Sequence, residues 1–322
     1  MCKDMLLYII ILLLIDLNNF IYFEVLLKYI VAIDIGGTTF NAGIFSESFN
    51  EIEMSNKDKI RFYSDKNNVI DGIVAQVNHL IENNDIDRKD IKGLGIAAPG
   101  PLDSKKGRIL DTPNLKIFRQ YNIVNDFAKR LKIDTYLEND ANLFSIGEWY
   151  TQYQKSDVIV GLTLGTGLGF GLVINGKLFT GSNGMAMEYG ISPFKWGLAE
   201  KNVSIGYLRR MSMERYGVEI SPRELERKYL DGDDEAIAIY NGFGENLGTV
   251  LSHVINMLDP QVITIGGGLS KACKLFKDSM NVTIDKHCPA YSKNQIIIAP
   301  SKLRELSTMV GACIMVEKKN KF

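Results

Sequence analysis

The sequence predicts an α/β protein with two similar halves around a central cleft. Two matching glycine-turn hairpins and an alternation of strands with helices carry that expectation. The first hairpin is Val31-Ala-Ile-Asp-Ile-Gly-Gly-Thr-Thr-Phe-Asn-Ala-Gly-Ile-Phe45. The second is Val160-Gly-Leu-Thr-Leu-Gly-Thr-Gly-Leu-Gly-Phe-Gly-Leu-Val-Ile174, of the same length and shape. Thr163 stands where Asp34 stands in the first, and Gly165 where Gly36 stands. Glycines tolerate dihedrals that other residues resist, and they bare main-chain N–H groups. A concave set of such donors suits a phosphate. Asp34 beside that cradle suits a magnesium ion, held directly or through water. Either unit alone is equally readable as an ordinary glycine-rich hairpin. Two in matching register favour one polyphosphate gripped from both sides.

Each remaining element follows from local pattern. Glu51 to Lys59 is polar and turn-like, and Ile60 to Ser64 alternates as a strand would. Val69, Ile70, Ile73, Val74, Val77, Leu80 and Ile81 fall at helical spacing, with Asn67 or Asn68 as cap. Lys92 to Ala97 reads as a buried strand running into Ala98-Pro-Gly-Pro101, which turns the chain into a loop. A helix around Ile123–Leu131, a strand over Thr135–Glu138 and a helix over Asn142–Tyr153 complete the first half. The second half reads as the Val158–Ile174 hairpin, then helices over Val203–Tyr216, Ser221–Leu230 and Asp234–Leu258. Ser221-Pro-Arg-Glu224 has capping-box spacing with proline at the first helical position. Gly242, Gly244 and Gly248 weaken the long helix by propensity and imply close approach of a neighbour. A strand over Gln261–Ile265, a helix over Leu269–Cys288, a strand over Gln295–Ala299 and a helix over Leu303–Lys318 finish the chain.

Composition narrows the function classes. At 322 residues the chain can build two cored domains. A net charge of −1 gives no global field for nucleic acid or an anionic membrane. Its four cysteines, Cys2, Cys273, Cys288 and Cys313, are scattered. They form no disulfide framework or zinc knuckle and read as thiols of a reducing cytoplasm. The apolar run Met5–Ile15 is about half the ~20 residues a membrane span needs. Residues 1–29 therefore read as an extension outside the fold, with a membrane anchor as the alternative.

Several stretches carry chemistry. Glu138-Asn-Asp-Ala-Asn142 ends a strand and opens a helix, where an acid faces the cleft of an open α/β fold. Asp140 is a candidate general base, and a simple helix cap is the competing explanation. Asn114, in Thr112-Pro-Asn-Leu115, offers both a donor and an acceptor to sugar hydroxyls, or else makes an ordinary turn. Glu188 is a lone acid in an uncharged stretch, and Glu200 a second candidate in a charged one. Gly266-Gly-Gly268 follows a strand and opens a helix, which suits an adenine or ribose with phosphate nearby.

Together these stretches resemble the ROK family of sugar kinases, within the actin/hexokinase-like (ribonuclease H-like) superfamily. The resemblance runs from about Tyr29 to about Val316. It rests on Asp34-Ile-Gly-Gly-Thr38, Glu138-Asn-Asp-Ala-Asn142, Leu164-Gly-Thr-Gly-Leu-Gly169 and Gly266-Gly-Gly268, in that order and spacing. It implies an N-terminal domain over residues 30–145, joined by a returning helix at 303–318, and a C-terminal domain over 146–302. It implies ATP with magnesium on Asp34, Gly36, Gly37, Thr38, Thr39, Gly165, Thr166, Gly167, Gly266, Gly267 and Gly268, with Asp34 holding the metal. Asp140 would take the proton of a hexose primary hydroxyl as it attacks the γ-phosphate. Gly100, Asn114, Asn139, Asp140, Glu188 and Glu200 would contact the sugar. Glucose comes first, with N-acetylmannosamine, N-acetylglucosamine, fructose and allose as alternatives.

The departures are as informative. Ile191 stands where the family has a histidine shared by sugar and a structural zinc, and Gly197-Leu-Ala-Glu200 where it has Gly-Cys-x-Glu. Isoleucine and leucine cannot ligate zinc, so no zinc is expected. Thr39 stands where a lysine is frequent. Part of the family senses sugars and represses genes, but residues 1–29 are too short and apolar to be a DNA-binding domain. A cytoplasmic homodimer is expected by analogy.

Overall fold

The computed structural model describes residues 28–113, 115–195, 197–288, 296–319 and 321. The extension at residues 1–27 and Asn114 lie outside them. Strands β1 (Tyr29–Ile35) and β2 (Thr39–Ser46) form the first hairpin, with Asp34 opposite Asn41. β3 (Glu51–Met54) and β4 (Asp58–Lys59) then pair with β2. The polar stretch expected as a turn is therefore an edge strand, whose charged, exposed residues are what a free edge tolerates. The strand expected at Ile60–Ser64 is a 3₁₀ turn at Ile60–Phe62. Ile60 is buried there but Phe62 is largely exposed, so no apolar face holds it to a sheet.

Helix α1 (Lys66–Asn83) buries the predicted apolar face. Its cap is Asp65, whose carboxylate accepts from the amides of Asn67 and Asn68 at 2.8 and 3.0 Å. The two asparagines expected to cap are thus the donors. β5 (Ile91–Ala98) follows, then a small sheet of β6 (Leu102–Asp103), β7 (Arg108–Ile109) and β8 (Tyr121–Asn122). Helix α2 (Ile123–Leu131), strand β9 (Thr135–Asn139) and helix α3 (Asp140–Gln152) close the first half.

The second half contains β10 (Val158–Leu164), β11 (Leu168–Ile174), β12 (Lys177–Leu178), α4 (Ala199–Asn202), α5 (Ile205–Tyr216), α6 (Pro222–Leu230) and α7 (Asp234–Leu258). It ends with β13 (Val262–Gly266), α8 (Cys273–His287), β14 (Ile297–Pro300) and α9 (Leu306–Glu317). Gly244 and Gly248 in α7 let α8 approach. A Cβ there would lie 2.4 Å from the Phe276 carbonyl and 2.6 Å from that of Met280.

The two large sheets repeat one plan. The first runs β3-β2-β1-β5-β9 and the second β12-β11-β10-β13-β14. In each, the first two pairings are antiparallel and the last two parallel. The duplication read from the two hairpins thus extends to whole sheets.

Helices α3 and α9 join the halves. α3 leaves β9 of the first sheet but packs on the second, where Gly161 and Gly171 each meet Ser145 Oγ. α9 leaves β14 of the second sheet but packs on the first, where Gly95 meets the Ala312 carbonyl. The helices cross through two glycines. A Cβ on Gly147 would lie 1.9 Å from the Ser307 carbonyl, and one on Gly311 would lie 1.9 Å from that of Leu143. Beside the crossing, the fully buried Glu148 carboxylate accepts hydroxyls from Thr264 and Ser301, each at 2.7 Å, and from Ser307.

This contact decides the sign of a substitution. Gly311→Ala gains about 1 kcal/mol of helix propensity. It also forces two backbones apart, which outweighs that gain. The variant is expected to lower Tm by roughly 5 °C, checked by calorimetry, and an unchanged or raised Tm would contradict the crossing.

Candidate active site

Parallel pairing brings the site together. Asp34 of β1 lies beside Ala97 of β5, and Ala98 lies beside Asn139 of β9. The carboxyl ends of three adjacent strands therefore deliver Asp34, the Pro99–Pro101 loop and the Asn139–Asp140 corner to one edge. Register in the second sheet places Thr163 beside Gly266 in the same way.

The Asn139–Asp140 corner is firmly built. Asn139 Oδ1 caps α3 by accepting from the amides of Ala141 and Asn142 at 2.9 and 3.1 Å. Asp140 Oδ1 also accepts from the Ala141 amide, at 2.8 Å. Behind them, buried Glu138 accepts from Asn142 Nδ2 at 3.0 Å, Ser104 Oγ at 2.9 Å and the Asn139 amide at 2.8 Å. Capping thus belongs chiefly to Asn139, and the second Asp140 oxygen is left for other work.

Gly100 shows how the sugar-side candidates converge. A Cβ there would lie 2.6 Å from Glu188 Oε1 and 3.0 Å from Asn139 Nδ2. Glu188 in turn feels the charges of Asp140 and Glu200. Gly100, Asn139, Asp140, Glu188 and Glu200 therefore share one neighbourhood. Met187, next to Glu188, is held at φ 67°, in the left-handed region that a side chain resists. Ile191 ends the following 3₁₀ turn half-exposed.

The glycine turns work differently from the sequence expectation. Gly36, Gly37, Gly165 and Gly167 all lie outside the left-handed region. The Gly36 amide is taken by the Thr39 carbonyl at 2.8 Å, and the Gly165 amide by that of Gly167 at 3.1 Å. Gly37, Thr38 and Thr166 are exposed at the tips. In the third turn only Gly267 is left-handed, at φ 78°, and a Cβ on it would lie 2.3 Å from the Leu164 carbonyl. Gly266 is buried against the Phe144 ring, where a Cβ would lie 2.5 Å from a ring carbon. Gly267 and Gly268 instead line a pocket of about 290 Å³ with Lys271, Arg304, Glu305 and Leu306. Glu305 pairs with Lys57 at 2.7 Å. Neither residue was legible as a site residue, because they lie far apart in sequence within ordinary charged stretches.

Burial governs the acids. It pushes the Asp34 carboxyl up to about 7, the Asp140 charge adds to it, Lys57 opposes it and Glu305 adds a little more. Burial also raises Asp140, against the Ala141 amide that favours its charge. Burial raises Glu188, helped by Asp140 and Glu200.

A family model for the ROK family matches residues 30–319. The chain belongs to the ROK family. It is 28% identical over 316 residues to a glucokinase of Thermotoga maritima, covering 90% of this chain and 98% of the relative. It is 31% identical over 268 residues to an N-acetyl-D-glucosamine kinase of Histophilus somni, covering 76% and 85%. Among solved structures, a ROK family glucokinase of Streptomyces griseus, in complex with glucose and AMPPNP, superposes with TM-score 0.74 at 23% identity, covering 91% of this chain and 99% of that one. The fold is accordingly the actin/hexokinase-like fold of the ROK kinases.

Asp34 and Asp140 form a half-buried pair of like charges, and such a pair suits a divalent cation. Among the described residues no three His, Cys, Asp or Glu side chains cluster for a metal. That donor set fits magnesium, which keeps waters and takes one or two carboxylates plus phosphates.

The raised Asp34 sets a pH dependence. Folded, Asp34 keeps its proton up to about pH 7, whereas unfolded it loses it near ~3.9. Between those values the folded state holds more protons, so ligand-free stability falls as pH rises and levels off above about 7. Asp34→Asn is expected to raise the ligand-free Tm at pH 8 by a few degrees, about 1 kcal/mol, with the gain shrinking toward pH 5. Thermal scans across pH check this, and a lower Tm than wild type at pH 8 would contradict it.

Proposed function

We propose that this chain is a magnesium- and ATP-dependent sugar kinase acting on the primary hydroxyl of a hexose. The observation that carries the reading is Asp140. It is a half-buried carboxyl at a strand end, with one oxygen uncommitted, between Asp34 and the Gly100–Asn139–Glu188 group. In this reading Asn139, Glu188, Glu200 and the Gly100 backbone hold sugar hydroxyls, and Asn114 joins them. Asp140 accepts the proton of the attacking hydroxyl. The tips at Gly36–Thr39 and Gly165–Gly167 bracket the polyphosphate, and the Gly267–Gly268 pocket takes the base and ribose. Magnesium, held by Asp34 and the phosphates, supplies charge stabilisation for phosphoryl transfer. Most of the rate comes from positioning and from excluding water as residues 30–145 close on residues 146–302.

Glucose is the preferred acceptor in this reading, supported by the near full-length likeness to the Thermotoga glucokinase. An N-acetylhexosamine is the second candidate, supported by the Histophilus kinase. Three described cysteines, Cys273, Cys288 and Cys313, are buried free thiols, which suits a cytoplasmic setting. Among the described residues no helix is long and apolar enough to cross a membrane.

Asp140→Asn keeps the size and the cap but removes the base. It is expected to lower kcat by about 10²–10⁴ while leaving both KM values close to wild type. Because burial raises the Asp140 carboxyl, the acid limb of the wild-type kcat profile lies above the usual carboxylate range, with activity lost as pH falls through it. Full turnover by Asp140→Asn would remove Asp140 as the base.

A further inference from the structure

An acid-lined site needs cations to receive a polyphosphate. The two hairpin tips supply none, since Gly36–Thr39 and Gly165–Gly167 contain only glycine and threonine. Lys57 lies where one is needed. It precedes β4, which is tied to the first tip: Thr39 pairs with Lys59, and the Ile60 amide donates to the Thr38 carbonyl at 2.9 Å. Its ammonium meets Glu305 Oε2 at 2.7 Å, and Glu305 lines the pocket beside Gly267 and Gly268. The pair therefore bridges the first tip and the pocket. Both partners also act on Asp34, in opposite senses. With side chains 42% and 68% exposed, the pair contributes little to the fold and separates readily.

We propose that Lys57 is a phosphate-binding residue for which Glu305 holds the place. The ammonium leaves the carboxylate for the nucleotide's β- or γ-phosphate. This rests on the kinase reading. A polyphosphate carries more charge than one carboxylate and offers several acceptor oxygens, so it outcompetes Glu305 for the ammonium. Glu305 then faces the incoming phosphates as a like charge and weakens them. The two members of one ion pair thus act on nucleotide binding with opposite sign. An uncharged nucleoside gains nothing from Lys57.

The test uses the full chain with magnesium, titrated calorimetrically with AMPPNP and with adenosine. Lys57→Met is expected to weaken AMPPNP by about tenfold and leave adenosine unchanged. Glu305→Gln is expected to tighten AMPPNP several-fold and to change adenosine, whose pocket Glu305 lines, by much less. An ion pair serving only structure predicts that both variants move binding the same way, since both break it. Shifts of the same sign, shifts below about twofold, or equal shifts for adenosine would overturn the proposal and leave the kinase reading intact. A wild type that binds neither probe refutes the kinase reading, and the proposal falls with it. Unchanged Tm in both variants confirms that they fold.

Discussion

Where α3 and α9 cross, no side chain fits between the backbones. Gly147 and Gly311 each place an α-carbon against the opposing helix. Glu148 then locks the crossing by gathering hydroxyls from β13, from Ser301 beyond β14 and from α9. A buried carboxylate is tolerable only when its lone pairs are satisfied, and here three hydroxyls and the Gln152 amide satisfy it. The site depends on this joint. Asp140 opens α3, and Glu305 immediately precedes α9. One crossing therefore fixes both Asp140 and the pocket acid Glu305, on elements that each belong to one sheet in sequence and to the other in space.

The chemistry follows from gathering acids in one place. Asp34, Asp140 and Glu188 are all pushed upward, first by burial and, for Asp34 and Glu188, next by the Asp140 charge. Such a cluster is strained without ligands and relaxes when cations and hydroxyl donors arrive. Perturbed acids of this kind mark functional sites more often than structural ones. Glu138 and Asn139 keep the corner rigid meanwhile, so that Asp140 is presented rather than searched for.

Much of this was legible in the sequence where a pattern was local. The two hairpins, the equivalent places of Asp34 and Thr163 in them and the long helix Asp234–Leu258 all follow from apolar spacing and glycine position. The edge strand β3 was not legible, because an exposed edge carries the same polar residues as a turn. The Ile60–Phe62 turn imitates a strand in its alternation, but Phe62 finds no partner face. Asp65 is not distinguishable as the cap by pattern, because the asparagines that follow it are also good caps. Of the candidate site, Asp140, Asn139, Gly100 and Glu188 lie in one neighbourhood. Gly266 turns into the core against Phe144, because the strand that carries it is buried through its last residue. Lys57 and Glu305 meet only through tertiary structure, and no spacing announces such a pair.

The most direct measurement is coupled ADP release from wild-type protein, with ATP and magnesium, over a panel of hexoses and N-acetylhexosamines. A sugar kinase releases ADP only when an acceptor is present, with one clear preference, and glucose is expected to lead. Release from no sugar, or release at the same rate without any, would contradict a site built around Asp140 as the base for a sugar hydroxyl.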